Sequence, residues 1–327
     1  MKLQICHNSW SKEYNESLHT FLENWYDDTD FIRQQTSGST GNPKIIELKK
    51  SAMRQSASLT SRFFGFEEGQ TALICLSPDY IAGKMMLIRA INLGWHLDIV
   101  KATLHPLKNV TKSYDFSAMV PLQLENSLDK IDGIKKLIVG GGVVSNQLQQ
   151  KLQKIDCHVF ATYGMTETCG GCVYDGTPLE GVQVKIRNEQ ICIKGPVLAS
   201  SIPLNDGWFE THDVGEFKND HLVVIGRSDD VIISGGENVS LTAIEATLSI
   251  RYPEIEFAAF GVNDIQWGHA LHLAVVGQIG ESEIDQYLEA ALGAASKPKG
   301  IHHLEQLPLL GIGKVDRSAL AKMVGNE

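Results

Sequence analysis

Nine consecutive residues, Thr36-Ser37-Gly38-Ser39-Thr40-Gly41-Asn42-Pro43-Lys44, hold four hydroxyls, two glycines and a lysine. Backbone N–H groups, hydroxyls and one ammonium on so short a loop can wrap a polyphosphate. The segment is not a Walker A loop: Asn42-Pro43 separates Gly41 from Lys44, and no Ser or Thr follows the lysine. Ser, Thr and Gly also dominate ordinary turns for reasons unrelated to ligands, so a plain flexible turn stands beside the phosphate reading.

Further along, Tyr163-Gly164-Met165-Thr166-Glu167-Thr168 follows an apolar strand at 158–162. Ligands gather at the carboxyl ends of strands in open α/β sheets. Tyr163 offers a ring for stacking, Thr166 a hydroxyl for phosphate and Glu167 a carboxylate for Mg2+. A helix cap with an acidic first turn reads the same residues equally well. Gly140-Gly141-Gly142 also follows a strand and opens a helix, but Ser145 fails the third position of a dinucleotide fingerprint. A close backbone approach to a flat ligand fits better. Asp213, read as a loop residue, can accept from a ribose diol or form a turn; Arg227 can hold a ribose or phosphate oxygen, or a surface carboxylate. Gly235-Gly236 reads as a loop entering the helix that contains Glu245, and Lys314 sits beside the glycine turn Gly311-Ile312-Gly313. The lone Cys169-Gly-Gly-Cys172 lacks a second pair at zinc spacing and reads as incidental.

These residues need a frame. Short apolar runs at 71–76, 116–120 and 136–140 read as buried strands, with helical patterns at 81–93 and 145–154 between them. Alternating strands and helices predict an α/β layer. Beyond 162, short strands and Gly-rich turns predict an appended β subdomain. A helix at 241–250, strands at 256–262 and 270–277, a helix at 281–292 and a terminal strand–turn–helix form an α+β block of domain size. The division falls at Ser228/Asp229, giving domains 1–228 and 229–327. With 327 residues, 29 Lys+Arg against 39 Asp+Glu and a net charge of −10, the chain is long enough for one large domain or for two and has no basic run for nucleic acid. Neither a signal-like N-terminus nor a membrane-length apolar run is present, which predicts a cytoplasmic protein. An acidic protein that binds ATP must gather positive charge or Mg2+ locally.

Taken in order, Thr-Ser-Gly-Ser-Thr-Gly-x-Pro-Lys, Tyr-Gly-Met-Thr-Glu-Thr, Thr-x-Asp, Gly-Arg-x-Asp-Asp-x-Ile-x-x-Gly-Gly-Glu-Asn and Gly-x-Gly-Lys-x-x-Arg form a series. The series resembles the adenylate-forming superfamily of acyl-CoA synthetases, peptide-synthetase adenylation domains and luciferases, over residues 36 to 320. The resemblance implies a large N-terminal domain of layered α/β sheets plus a β subdomain, truncated at its N-terminus, and a small mobile α+β C-terminal domain. It implies that Thr36, Ser37, Gly38, Ser39, Thr40, Gly41 and Lys44 hold the β- and γ-phosphates. Gly141, Gly142, Thr162 and Tyr163 surround the adenine, Thr166 and Glu167 meet phosphate and Mg2+, and Asp213 and Arg227 hold the ribose. Asp229 is the hinge, Lys314 drives adenylation, and Gly235-Gly236 borders the pantetheine tunnel of coenzyme A. The chain departs from the family pattern in three places: few residues precede the phosphate loop, His212 replaces a Gly, and Leu310 replaces a Thr or Asn.

Within that superfamily the chain looks most like the short menaquinone-pathway ligases that convert 2-succinylbenzoate to its CoA thioester. Those carry an aromatic or His gate, a small-residue turn and an Arg nine residues after the gate; here Tyr80, Gly83 and Arg89 fit, with Lys84 a second cation. A dicarboxylate needs a positive group for its second carboxylate, and Arg89 can supply it. A helix-surface salt bridge is the plain alternative for Arg89. A ligase for another aryl or fatty acid, with CoA or a carrier protein as acceptor, and a non-catalytic nucleotide binder remain open alternatives. So does a homo-oligomer.

Overall fold

The computed structural model describes residues 4–9, 12–35, 44–142, 144, 146–265, 267–310 and 314–325. Apolar runs too short for helices become strands. Thr71–Ile74, Tyr114–Met119 and Ile134–Val139 are largely buried and pair in parallel. Parallel neighbours require crossovers, which the helical patterns supply, Ile81–Leu93 among them. The outcome is an eight-stranded sheet in the order Gln4–Ser9, His96–Val100, Thr71–Ile74, Tyr114–Met119, Ile134–Val139, His158–Met165, Gly170–Tyr174, Thr177–Pro178. The first six strands run parallel and the last two turn antiparallel. Strand order reverses at Thr71–Ile74, so the loops at the carboxyl ends of this strand and Tyr114–Met119 open a crevice suited to a ligand.

Helices Lys12–Tyr26, Lys50–Phe64 and Ile81–Leu93 pack one face through Phe21, Met53, Phe64, Met86 and Ile88. On the other face Leu73, Tyr114, Leu124, Ile131 and Leu148 form a second core under helices Pro121–Glu125 and Asn146–Leu152. A hairpin, Phe31–Gln35 with Ile45–Lys49, flanks the proposed phosphate loop, its last pair being Gln35 with Ile45.

The expected β subdomain is a four-stranded antiparallel sheet of Gln183–Arg187, Gln190–Lys194, Phe209–Lys218 and His221–Arg227. Beyond it lies a five-stranded sheet. Glu237–Ser240, Val231–Ser234, Gly268–Val276 and Glu256–Asp264 pair antiparallel, and Gly300–His303 joins Gly268–Val276 in parallel. Helices Leu241–Arg251 and Glu281–Leu292 bury Ile244, Leu248, Ile284 and Leu288 on one face. Helix Arg317–Val324 covers the opposite face through Leu320. One local expectation is corrected: Gly235-Gly236 does not enter a helix directly but turns a β-hairpin, with Ser234 paired to Glu237 and the helix starting at Leu241.

Candidate active site

Asp213 lies in strand Phe209–Lys218, not in a loop, and register places it directly opposite Arg227. Arg227 Nη1 donates to Asp213 Oδ1 at 3.1 Å, and Tyr163 Oη, 50 residues upstream, donates to Oδ2 at 2.8 Å. Burial first, and then the Asp213 carboxylate, push the Tyr163 phenol far up, so it remains a donor. Three residues read separately from the sequence thus meet at one carboxylate, fixed from two sides. Strand alternation explains why His212 is tolerated: Thr211 and Asp213 are buried while His212 points to solvent.

Strand His158–Met165 delivers Thr162 and Tyr163 to opposite faces, then turns through Thr166–Thr168. The Ala199 N–H donates to Glu167 O at 2.8 Å, holding that turn against the connection between strands Gln190–Lys194 and Phe209–Lys218 of the β subdomain. Gly141 and Gly142 are exposed beside Val120 and Pro121, at the carboxyl ends of their strands. Glu167 is one carboxylate next to the Thr166 hydroxyl, a donor set that suits Mg2+, which takes one or two carboxylates and completes its shell with water and substrate phosphate. No cluster of three or more His, Cys, Asp or Glu exists among the described residues to make a self-sufficient metal cage. Cys169 and Cys172 are fully buried, and burial pushes both thiols up to about 12, which leaves them neutral.

The two basic residues of helix Ile81–Leu93 separate. Lys84 and Arg89 lie five positions apart, about 140° around the helix axis. The Lys84 ammonium donates to Gln34 Oε1 at 2.5 Å and to Asp79 O at 3.3 Å. Gln34 is the next-to-last residue of strand Phe31–Gln35, so Lys84 braces the strand that leads into Thr36. Burial pulls its ammonium down to about 8, against the opposing influence of Asp79. Arg89 instead points into the core at 2% exposure, which removes the surface salt-bridge reading. Its Nη2 meets Tyr174 Oη at 3.3 Å and Thr60 Oγ1 at 3.5 Å, and its Nε is buried without a partner. No carboxylate among the described residues pairs with it. Tyr80 stands half exposed at the start of this helix. Gly83 allows close packing: a Cβ there would lie 2.0 Å from Ser77 O.

In the small sheet, Gly235 packs under the Trp267 ring, where a Cβ would come within 2.7 Å, and Lys299 Nζ lies 4.1 Å from that ring's centroid. Sequence reading missed both Trp267 and Lys299, which are brought beside the glycine turn only by the pairing of Val231–Ser234 with Gly268–Val276. Arg317 anchors the C-terminal motif. Its Nη2 contacts both Glu245 oxygens at 2.8 Å, its Nε donates to Ala259 O at 2.9 Å, and its Nη1 lies 3.6 Å from Asp230. Lys314 belongs to the short strand Lys314–Val315, paired with Leu309–Leu310. The side chains of Lys314 and Asp229, and residues Thr36, Ser37, Gly38, Ser39, Thr40 and Gly41, lie outside the described residues; Lys44 is described and exposed. No helix among the described residues is long and apolar enough to cross a membrane.

The AMP-binding enzyme family model matches residues 23–201. A probable 2-succinylbenzoate–CoA ligase of Mycobacterium tuberculosis is 30% identical over 335 aligned positions, covering 92% of this chain and 86% of the relative. An o-succinylbenzoate CoA synthetase of Bacillus subtilis, solved in complex with the acyl-adenylate intermediate OSB-AMP, superposes with a TM-score of 0.75 at 25% identity, covering 88% of this chain and 68% of that one. An acyl-CoA synthetase (AMP-forming)/AMP-acid ligase II-like protein of Dyadobacter fermentans matches with a TM-score of 0.58 at 27% identity, covering 96% of this chain and 95% of that one. The family match runs from the helix before the hairpin through the Tyr163–Glu167 turn, and the chain belongs to the AMP-binding enzyme family.

Proposed function

We propose that this protein is an ATP-dependent carboxylate–CoA ligase that converts 2-succinylbenzoate to its CoA thioester through an acyl-AMP, as a cytoplasmic enzyme of menaquinone biosynthesis. The observation that carries the choice of acid is Arg89, a buried guanidinium with no carboxylate partner among the described residues and an unpaired Nε. A cation kept in a core without a counter-ion is costly, and a substrate that brings a second carboxylate supplies the missing partner. The names of the relatives support the same acid.

In this reading ATP lies along the carboxyl ends of the central strands. Gly141, Gly142, Thr162 and Tyr163 surround the adenine, Asp213 accepts from the ribose diol, and residues 36–41 with Lys44 hold the outer phosphates. Mg2+, held by Glu167 and Thr166 with the phosphates, supplies charge screening when bound. An oxygen of the substrate carboxylate forms a bond to the α-phosphorus, the α–β phosphoanhydride bond breaks, and pyrophosphate leaves. Lys314 offsets the charge that develops on the phosphate oxygens. The CoA sulfur then attacks the acyl carbonyl, AMP departs, and the thioester is released. Gly235-Gly236 borders the pantetheine path, and Trp267 with Lys299 offers a ring and an ammonium next to it. The chain divides into domains 1–228 and 229–327, turning about Asp229 between the two half-reactions.

Lys314→Ala tests the scheme. Acyl-AMP formation from ATP and 2-succinylbenzoate should fall about 10²-fold or more, while thioester formation from supplied acyl-AMP stays within a few-fold. Acyl-AMP formation near the wild-type rate would overturn the assignment of Lys314.

A further inference from the structure

The polar atoms around Arg89 form a chain with a fixed direction. Thr60 Oγ1 lies 2.9 Å from Ser56 O on its own helix, so its single proton is committed to that carbonyl. Across the 3.1 Å contact between Thr60 Oγ1 and Tyr174 Oη, Tyr174 must therefore donate and Thr60 accept. The alternative acceptor for Tyr174, Gly171 O, lies farther away at 3.5 Å. With its proton used, the Tyr174 oxygen is free to accept from Arg89 Nη2 at 3.3 Å. The order is Arg89 to Tyr174 to Thr60 to Ser56 O, and it ends on a helix carbonyl that cannot rotate away. The Tyr174 ring is wedged against Phe63 and Phe64, with centroids 5.2 Å and 5.0 Å away.

The chain leaves particular valences open. Arg89 Nε and Thr162 Oγ1 are both buried without a hydrogen-bond partner. Thr162 stands opposite Tyr174 in the strand register, and a methyl on Gly171 would lie 2.3 Å from Thr162 Oγ1 and 3.2 Å from Tyr174 Oη. Gly171 thus leaves the two hydroxyls sharing one small space.

We infer that Tyr174 is a positioning residue for acid selection: backed by Thr60, its hydroxyl holds one edge of the Arg89 guanidinium so that the unpaired Nε faces the substrate's second carboxylate. This rests on the reading of Arg89 given above. It assigns selection to a hydroxyl relay from two further elements, helix Lys50–Phe64 and strand Gly170–Tyr174, and not to the arginine alone.

The probes are 2-succinylbenzoate and 4-oxo-4-phenylbutyrate, the same acid without the ring carboxylate. Tyr174→Phe keeps the packed ring and removes the hydroxyl. It should raise KM for 2-succinylbenzoate about fivefold to tenfold, leave kcat within about twofold, and leave both constants for 4-oxo-4-phenylbutyrate unchanged. Thr60→Val should give a smaller change of the same kind. The double variant should be no worse than Tyr174→Phe alone, because a serial relay is broken once. Equal losses on both acids, or additive losses in the double variant, would overturn the relay. Failure of the underlying reading looks different: the wild-type protein would handle both acids equally, and Arg89→Met would not alter their ratio. Discrimination that Arg89→Met abolishes and Tyr174→Phe leaves intact would sink the relay alone.

Discussion

Arg89→Met should make the protein more stable and less active at once. The hydrogen bonds that the guanidinium makes are long: 3.3 Å to Tyr174 Oη, 3.5 Å to Thr60 Oγ1 and 3.8 Å to Met86 Sδ. Together they are worth about 1–2 kcal/mol at most. Against them stands the desolvation of a guanidinium at 2% exposure with no carboxylate partner among the described residues, a penalty of several kcal/mol even after relaxation. Methionine fills a similar volume beside Met85 and Met86 and has no charge to desolvate. The balance favours the variant by about 1–3 kcal/mol, a rise in Tm of several degrees. The same change removes the charge-assisted contact proposed between Arg89 and the substrate, so kcat/KM for 2-succinylbenzoate should fall about 10²-fold while 4-oxo-4-phenylbutyrate is spared. Thermal unfolding and steady-state kinetics on one preparation read both effects. A Tm lowered by several degrees, with equal kinetic losses on the two acids, would mean that Arg89 is a structural residue and would refute the reasoning.

Other perturbations probe the supports around the site. Gly83→Ala forces a Cβ to within 2.0 Å of Ser77 O and 2.5 Å of Ser77 C, both backbone atoms, and should cost about 3 kcal/mol or more in a thermal melt. Lys84 gives a pH signature. With its folded value lowered from 10.5 to about 8, the unfolded chain binds more protons between those values, so wild-type stability should rise as pH climbs through that window. Lys84→Met should flatten the rise in urea titrations run across it. Arg317→Ala strands Glu245 without its bidentate partner and should destabilise the small sheet by about 3–5 kcal/mol, read as an earlier urea transition. Arg317→Ala together with Glu245→Leu should recover much of that loss.

Strong periodicity made helix Ile81–Leu93 legible to the residue, and plain apolar runs revealed strands Thr71–Ile74 and Ile134–Val139. Elements whose stability comes from distant partners were not legible. Strand His96–Val100 carries Asp98 in the middle of its apolar run, and that carboxylate is buried only because Lys112 and Tyr114 donate to it at 2.9 Å and 2.8 Å. Gln4–Ser9 has no alternation of its own and forms as an edge strand on His96–Val100. Helix Lys50–Phe64 hides its buried stripe behind Ser56, Thr60 and Ser61, whose hydroxyls bond within the fold. Residue types in order were enough to name Tyr163, Asp213 and Arg227. That Tyr163 and Arg227 grip the same carboxylate depends on strand register, which the sequence does not display. The surroundings of Arg89 draw on two helices and a strand, so its burial could not be read from the spacing after Tyr80.

The ion pairs also give the hinge proposed at Asp229 a physical basis. Upstream, Arg227 is tied to Asp213, and Ser228 Oγ donates to His212 O at 3.0 Å, so the chain is fastened to the four-stranded sheet through residue 228. Downstream, Asp230 lies 3.6 Å from Arg317, the guanidinium that also grips Glu245 and the Ala259 carbonyl of the small sheet. Between these two fastenings stands one residue. A rotation of the small sheet relative to the four-stranded sheet that breaks neither set of contacts must therefore be taken up by the backbone torsions at and beside residue 229. The same guanidinium fixes the start of helix Arg317–Val324, three residues after Lys314. Turning at 229 would thus carry the Lys314 strand and the Gly235-Gly236 turn together as one body, so that one glycine-flanked segment retreats as the other advances.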